Sequence, residues 1–368
     1  MFLVSAVAGA VAVEAWVRVQ WDERQGTPGL FISHPVRLEA LAPDYSGWFA
    51  GVPLRINRLG FRDPREYELA KRPGAFRIVV LGDSVTFGHA SIFEHTWPYL
   101  FERRLKAWRP QVDWQVWNLG VPGYNTSQEL AYLLEVGPRF QPDLVIVGFF
   151  GNDFVDNHDV AVPSRAAIWT SRVKSFVRRY VYSWEWYRRI YLQLRYRARR
   201  SERDLLESVA TQEQLLARPA GDAMPAGQEL TDPRPLTDDE IDRDRCKTPP
   251  RGFSVAALRA TPGIDAWMRT VDAFQQLHRN RAYRILFFVN DAPASCPGQD
   301  VFDPRPTGGL DKYMLSILGR DTPAVSSHDA FVHYRPSTMP NADGHSLGNA
   351  NAVKADVLFA FVRDRVLR

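Results

Sequence analysis

The sequence has little cysteine and no strong excess of charge of either sign. Its 368 residues include two cysteines, Cys246 and Cys296, which excludes a disulfide-dense scaffold and a structural zinc site built on cysteines. The two could pair if the protein is exported. The net charge of +4 is small for this length, so composition gives no general argument for nucleic acid, and we expect no nucleic-acid partner.

The chain also lacks an uninterrupted apolar run of the length typical of a membrane-spanning helix. Residues 1–13 are apolar or small, and Glu14 then breaks the run, whereas a spanning helix needs about 20 apolar residues. No positive charge precedes the run, although signal peptides normally start with one. Residues 1–20 could be a membrane anchor, an export signal or a buried helix. Since the run is not amphipathic, we favour an export signal or an anchor, and hence a periplasmic or cell-envelope location.

Apolar residues are plentiful enough to form a sizeable core. Hydrophobic residues make up 45% of the chain and aromatic residues 12%, which is far from the profile of a disordered protein. Residues 21–75 are rich in Pro, Gly and aromatics without a clear period, and we interpret them as an irregular lead-in that packs on the main domain. The main domain is predicted over residues 76–160 and 255–368.

An alternation of strands and helices defines this main domain. The predicted strands are Phe76–Leu81, Val112–Trp117, Leu144–Val147 and Tyr283–Val289. The predicted helices are Thr96–Trp108, Thr126 to about Val136, Ile264–Arg279 and Asn349–Val366, the second opened by a capping box over Thr126–Glu129. Such alternation predicts an α/β fold, a three-layer sandwich with a central parallel sheet of flavodoxin-like type.

Residues 161–254 interrupt the alternation as a predicted insertion. Its first part, from about Ser164 to Arg203, combines many arginines with Tyr and Trp, and a Pro- and acid-rich stretch over about 219–250 has the composition of a mobile loop. The first part is predicted to be a solvated helical face whose aromatics pack on the main domain. A membrane-surface helix or a site for an anionic polymer stays open, as does a role as a lid over the site.

Polar and glycine-rich loops follow three of the predicted strands. They are Gly82–Gly88, Asn118–Asn125 and Gly148–Asp153, and a fourth segment, Asp343–His345, precedes the last helix. Because the carboxyl ends of parallel strands meet at one edge of a sheet, these loops are expected to converge there.

The residues in these loops suit acyl transfer through a serine nucleophile. A serine hydroxyl needs a neighbouring base such as an imidazole, and a carboxylate orients that imidazole. Ser84, His345 and Asp343 can fill these three roles. The backbone amides of Ser84 and Gly123 and the side-chain amide of Asn152 can stabilise the oxyanion.

Taken together, Gly82-Asp83-Ser84, the Gly123 loop, Gly151-Asn152-Asp153 and the late Asp-x-His resemble the SGNH (GDSL-type) hydrolase family. The resemblance implies that Ser84 is the nucleophile, that Gly123 and Asn152 complete the oxyanion hole, and that His345 is the base. The carboxylate falls on Asp343, two positions before the histidine. The Asn and Gly that commonly follow the family's histidine are displaced here, because Ser346 and Leu347 come first.

The sequence therefore predicts a serine-dependent ester hydrolase acting on a small-molecule or carbohydrate ester. An O-acetyltransferase or deacetylase of a cell-envelope polysaccharide uses the same chemistry, and a catalytically silent binding module is a further alternative. No cofactor or metal is expected. Asp153, Asp156, His158 and Asp159 fit no ligand spacing, and no role is assigned to the scattered histidines, which are His89, His95, His328 and His333. The oligomeric state stays open, and a membrane surface is a possible partner.

Overall fold

A computed structural model describes most of the chain in atomic detail. The described residues are 2–151, 153, 157, 164–197, 227–244, 246–247, 255–293, 295–303, 310–342 and 344–368. The chain divides into two compact units. The first unit comprises Met1–Gly60 and Val162–Ala226, and the second comprises Phe61–Ala161 and Gly227–Arg368. The boundaries predicted from the sequence, which set residues 161–254 apart as one insertion, stay a prediction.

The second unit is built on a five-stranded parallel sheet. Its strands are β5 (Ala75–Leu81), β6 (Asp113–Asn118), β7 (Leu144–Phe149), β8 (Ile285–Val289) and β9 (Ala324–Ser326). Their spatial order is β6-β5-β7-β8-β9, and every neighbouring pair is parallel. This is the flavodoxin-like order, in which the connections leave the first strand in opposite directions. The predicted fold class is therefore confirmed, and the switch point lies between β5 and β7.

Helices cover both faces of this sheet. The longer ones are α3 (Trp97–Trp108), α4 (Thr126–Phe140), α9 (Ile264–Arg279) and α12 (Gly348–Phe361), which continues as a π-helical turn over Val362–Val366. The shorter ones are α2 (Ser84–Phe87), α7 (Asp238–Arg243), α8 (Val255–Arg259), α10 (Leu310–Leu318) and α11 (His328–Phe331).

The two faces carry separate apolar clusters, which gives the three layers. On one face Trp97 of α3 and Leu358 of α12 join Ile78 of β5 in a buried cluster. On the other, Trp267 of α9 lies against Phe149 of β7, with ring centroids 5.3 Å apart. The strands are apolar on both faces, as expected of a covered parallel sheet.

Several predicted boundaries change in the structure. The cap of α4 is Asn125, whose side chain accepts from the Gln128 amide while Gln128 accepts from the Asn125 amide, so the predicted box at Thr126–Glu129 is wrong by one residue. The helix also runs on through Pro138 to Phe140. Part of the stretch predicted as a mobile loop is ordered, because Thr237 and Glu240 form a capping box at the start of α7. Cys246 and Cys296 of the second unit form a disulfide.

The first unit combines long helices with short strands. Its helices are α1 (Phe2–Gln20), α5 (Arg165–Tyr180) and α6 (Tyr182–Arg197), and its strands are β1 (Phe31–His34), β2 (Leu38–Leu41), β3 (Ser46–Phe49) and β4 (Val52–Arg55). Strands β1 and β2 form one antiparallel pair, and β3 and β4 form another. The lead-in predicted as irregular therefore contains two hairpins.

Within the described part of the chain, none of the helices has the length and apolar character needed to cross a bilayer. Residues 2–20 form a single helix, and the prediction of a membrane anchor or an export signal there stays a prediction.

Candidate active site

Ser84 is the first residue of α2 and lies just beyond the carboxyl end of β5. The chain turns sharply at Gly82, which has a φ of +156°. A Cβ at this position would lie 2.0 Å from Thr86 Oγ1 and 2.4 Å from Thr86 Cβ, so no other residue fits without movement of the loop. The strand end and the glycine together place Ser84 at the edge of the sheet.

Asp83 is the N-cap of α2. Its Oδ1 accepts a hydrogen bond from the Val85 amide at 2.8 Å, and its side chain is buried. Asp83 therefore has a structural role, since a capping carboxylate satisfies an amide at the start of a helix.

His345 lies next to Ser84 although 261 residues separate the two in the chain. It sits on β11 (His345–Ser346), which forms a short antiparallel hairpin with β10 (Asn341–Ala342). Its Nε2 is 2.8 Å from Ser84 Oγ, and its Nδ1 is 3.2 Å from the Ala342 carbonyl oxygen. A carbonyl only accepts, so in the neutral ring Nδ1 carries the proton and Nε2 is free to accept from Ser84.

Asn351, in the first turn of α12, fixes the hairpin of His345 to the loop that follows α2. Its buried side-chain amide donates to Ser346 O, His95 O and Ser91 Oγ at 2.9, 2.9 and 3.0 Å. Ser91 Oγ in turn donates to Ser346 O at 3.2 Å. Asn351 could not be identified from the sequence, because nothing in a lone asparagine indicates which distant segments it joins.

Gly123, predicted for the oxyanion hole, lies in a tight turn after β6. The Tyr124 amide donates to Val121 O at 3.1 Å, with Pro122 and Gly123 between them. Gly123 has a φ of +82°, the left-handed value that the third position of a type II turn requires. Its surroundings are open, since an added Cβ would meet nothing within 4 Å.

Two of the predicted site residues, Asn152 and Asp343, lie outside the described residues, so their roles stay predictions. Their described neighbours are well defined. Asp153 is buried, and its Oδ2 accepts from the Phe150 amide at 3.0 Å, which closes the loop after β7. Of the polar cluster considered for a metal, Asp156, His158 and Asp159 also lie outside the described residues.

His89, which the sequence left without a role, stacks on His345. The two ring centroids are 4.5 Å apart and the planes are inclined by 33°. Burial, together with the neighbouring His345 and Arg62, lowers the pKa of His89 to about 3, so the ring is neutral near pH 7. The imidazole of His345 therefore has an uncharged ring on one of its faces.

Arg62 holds the segment that carries His89. Its guanidinium is buried and donates to Phe87 O, Gly88 O and Ser91 O at 2.8, 2.6 and 2.5 Å. Burial lowers the pKa of Arg62 to about 9, an effect that the charge of Glu94 partly offsets.

Ionisable side chains are also buried near Asp83, the residue that precedes Ser84. Burial and the nearby charges of Asp153 and Asp83 raise the pKa of Glu129 well above its usual value. Burial lowers the pKa of Lys354 to about 8, partly offset by Asp291 and Asp83. Asp83 is thus close enough to a buried carboxyl group and a buried amine to shift the pKa of each.

One group of side chains within the described residues has the composition of a metal site. Asp311 and His328 are buried, Asp329 is exposed, and their ligand atoms lie within 4.8 Å of one another. His328 Nδ1 is 3.4 Å from Asp329 Oδ1 and 4.0 Å from Asp311 Oδ2. These are also the distances of an ion pair, and we assign no ion to the group.

The sequence resembles one known protein family. The sequence model of the family described as GDSL-like lipase/acylhydrolase matches residues 80–241. No match was found among curated proteins.

The solved structures that the chain resembles include three esterases or lipases. A two-domain esterase active on acetylated mannans has 13% identity, a TM-score of 0.37 and coverage of 78% of this chain and 49% of that one, so the chain spans about half its length. An acetylxylan esterase from Geobacillus stearothermophilus has 12% identity, a TM-score of 0.39 and coverage of 78% and 93%. A GDSL-like lipase from Bacteroides thetaiotaomicron has 10% identity, a TM-score of 0.32 and coverage of 79% and 89%.

Proposed function

We propose that the chain is a member of the GDSL-like lipase/acylhydrolase family, whose sequence model matches residues 80–241, and that Ser84 and His345 are its nucleophile and general base. On this proposal the chain is a carboxylic ester hydrolase. The observation that supports the finer assignment is the 2.8 Å contact between Ser84 Oγ and His345 Nε2. The Ala342 carbonyl favours the tautomer that can accept the serine proton.

The proposed reaction has two steps. His345 Nε2 takes the Ser84 proton as Oγ bonds to the ester carbonyl carbon, and the tetrahedral intermediate collapses when His345 returns that proton to the departing alkoxide. The product is an acyl ester on Ser84. A water then loses a proton to His345 and attacks the acyl carbon, which releases the acid and restores the serine.

The oxyanion of each tetrahedral intermediate needs fixed donors. We propose the backbone amides of Ser84 and Gly123 and the side chain of Asn152, each typically worth around 3 kcal/mol of the barrier. We further propose that Asp343 supports His345 as the triad carboxylate.

The decisive experiment measures hydrolysis of p-nitrophenyl acetate, butyrate and octanoate by the purified protein and two variants. Ser84→Ala and His345→Ala should each lower kcat by about 10⁴-fold or more, because each removes a member of the nucleophile–base pair. Ser316→Ala and His333→Ala are matched controls at exposed positions of the second unit and should retain full activity.

Intact-mass analysis completes this test. A sulfonyl fluoride should modify the wild-type protein once, at Ser84, and should leave Ser84→Ala unmodified. Full activity of Ser84→Ala would show that another group is the nucleophile. An inactive wild-type protein would support a binding module instead. Turnover that depends on an added sugar acceptor would assign the second step to transfer rather than hydrolysis.

We also propose that the protein is exported. The Cys246–Cys296 disulfide supports this, since such bonds persist in oxidising compartments and are rare in the cytosol. Alkylation of the protein from cell fractions, before and after reduction, tests the proposal. Free thiols in the native protein would contradict it.

A further inference from the structure

The three long helices of the first unit expose an unusual amount of apolar surface. Fourteen of the seventeen large hydrophobic side chains that are exposed among the described residues lie on α1, α5 and α6. Contiguous apolar surface of this kind commonly marks a site of interaction with a partner or a membrane. We call the exposed apolar side of these helices the apolar helical face.

Helix α5 is oriented opposite to an ordinary amphipathic helix. Its exposed large side chains are Trp169, Val173, Phe176 and Tyr180, which recur at intervals of three or four residues and so form one stripe. Its one buried residue is the polar Ser171, whose hydroxyl donates to the Leu38 carbonyl at 2.5 Å.

Ion pairs line the inner side of the same helix. Lys174 Nζ is 2.5 Å and Arg178 Nη1 3.2 Å from the Glu39 carboxylate on β2. An amphipathic helix on the surface of a globular protein normally turns its apolar stripe toward the core. Here polar contacts attach α5 to the unit, and the apolar stripe faces outward.

A row of arginines runs beside this stripe. Arg165, Arg172 and Arg179 are exposed, recur every seven residues, and form no ion pair with any described residue. At 3.6 residues per turn, seven residues are close to two turns, so the row lies along one side of the helix next to the apolar stripe. Arginine beside Trp and Tyr suits the headgroup zone of a bilayer, where the guanidinium reaches the phosphates and the rings reach the acyl boundary.

Helix α6 continues the pattern of exposed aromatics. Trp184, Tyr187, Tyr191 and Leu194 are exposed and again recur at intervals of three or four residues. Helices α5 and α6 therefore each carry an exposed apolar stripe.

Glu14 attaches α1 to the start of α6. Its carboxylate accepts from the amides of Tyr182 and Ser183, both at 2.9 Å, and from Ser183 Oγ at 2.7 Å. Despite partial burial, these hydrogen bonds and the charge of Arg18 lower the pKa of Glu14, so it stays ionised. The residue that interrupts the apolar run is thus a fixed attachment point, and residues 4–13 before it are exposed and uncharged.

From these observations we propose that the apolar helical face docks on the surface of a bilayer containing anionic phospholipid, with the arginine row at the phosphates. A protein partner with an apolar groove would cover the stripe but would leave the adjoining arginines unpaired, whereas anionic headgroups satisfy both. Affinity for such a surface grows with the apolar area buried and with each added positive charge.

Flotation of the full-length protein with phosphatidylcholine vesicles, with and without phosphatidylglycerol, tests the proposal. The wild-type protein should float with the anionic vesicles and should be released as salt is raised. Combined Trp169→Ser, Phe176→Ser and Tyr191→Ser should lower the partition coefficient at least about tenfold. Leu134→Ser with Leu230→Ser, which alters exposed leucines of the second unit, should leave it unchanged.

A second pair of variants tests the charge. Arg172→Gln with Arg179→Gln should lower partitioning onto anionic vesicles by roughly 30-fold, since each arginine near such a surface contributes about fivefold. Arg103→Gln with Arg139→Gln, which removes exposed arginines of the second unit, is the matched control and should bind as the wild type does.

Three results would overturn the proposal. The first is that the wild-type protein does not float with anionic vesicles. The second is that the control variants lose as much binding as the test variants. The third is that the apolar variant changes from dimer to monomer while the wild-type protein binds no vesicles. The last would assign the face to a second copy of this chain. Hydrolysis of a soluble aryl ester should be the same in all four variants, which shows that each is folded.

Discussion

The two units distribute their polar and apolar groups in opposite ways. The second unit buries ionisable side chains such as Asp83, Glu129 and Lys354, and only two of its described large apolar side chains, Leu134 and Leu230, are exposed. The first unit exposes fourteen large apolar side chains on α1, α5 and α6, while the inner side of α5 is attached through the ion pair of Lys174 with Glu39. Both arrangements cost stability relative to the usual one. Under the two proposals made above, each unit gives up stability for a function, ester hydrolysis in the second unit and binding to a membrane surface in the first.

The largest contrast should appear when one phenylalanine is removed from each unit. Phe274 of α9 is fully buried, with its ring centroid 5.9 Å from that of Phe287, so Phe274→Ala should lower the free energy of unfolding by about 3–5 kcal/mol. Phe176→Ser in the first unit should change it by less than about 0.5 kcal/mol. Urea unfolding followed by fluorescence measures both. A large loss in Phe176→Ser would mean that its stripe is covered within the molecule.

A smaller effect is expected from Asn351, which acts as a positioning residue through the hairpin of His345. Asn351→Ala leaves Ser346 O without its amide donor, so we expect a loss of about 2 kcal/mol in stability. Because His345, the proposed base, is then less firmly placed, kcat should fall roughly 10- to 100-fold with little change in KM.

Asn349→Ala is the matched control for this experiment. Asn349 is also buried in the first turn of α12, but its amide donates to Thr231 Oγ1 and Thr338 O instead. Asn349→Ala should lose about as much stability as Asn351→Ala but should keep a much larger share of kcat. Equal losses of kcat in both variants would show that Asn351 has a purely structural role.

The smallest effect should come from Glu129, and its sign depends on pH. Its folded pKa is raised above the unfolded value of 4.5, so folding takes up a proton once the pH exceeds 4.5, and stability falls as pH rises toward the folded pKa. Glu129→Gln removes this dependence. Between pH 4.5 and the folded pKa, the free energy of unfolding of Glu129→Gln should rise relative to that of the wild type by at most about 1.4 kcal/mol per pH unit. Parallel stability–pH curves from urea unfolding would show that Glu129 is ionised in the folded protein.

The sheet and the position of Ser84 were predictable because they rest on local patterns. A continuous apolar, β-branched run that ends at Gly82 indicates a buried parallel strand, and the topology then places its loop at the edge of the sheet. His345 was predictable from its place before the last helix. The hairpin that carries it was not, because strands of two residues leave no periodic signal.

Contacts between distant segments could not be predicted. Neither the bonds of Asn351 nor the stacking of His89 on His345 follows from sequence spacing, since both depend on which loops meet. Strands β1–β4 were missed because each has only four residues and β1 is half-buried along its whole length, without alternation.

The outward direction of the stripe on α5 did not follow from the sequence, since Trp169 and Phe176 are 67% and 62% exposed. The packing of the insertion's aromatics on the main domain stays a prediction. Helical periodicity shows that apolar residues share one side, but it does not show which side meets the rest of the protein. The contacts of Ser171, Lys174 and Arg178 decide that question, and they involve residues more than a hundred positions away.

The disulfide between Cys246 and Cys296 has a consequence for any cut in the backbone. The intervening segment includes α8, α9 and strand β8, which lies between β7 and β9, so the bond encloses part of the sheet itself. A protease that cleaves once between the two cysteines leaves both pieces covalently joined. Such a nicked molecule keeps the mass of the whole chain, plus one water, until a reductant separates it into two fragments.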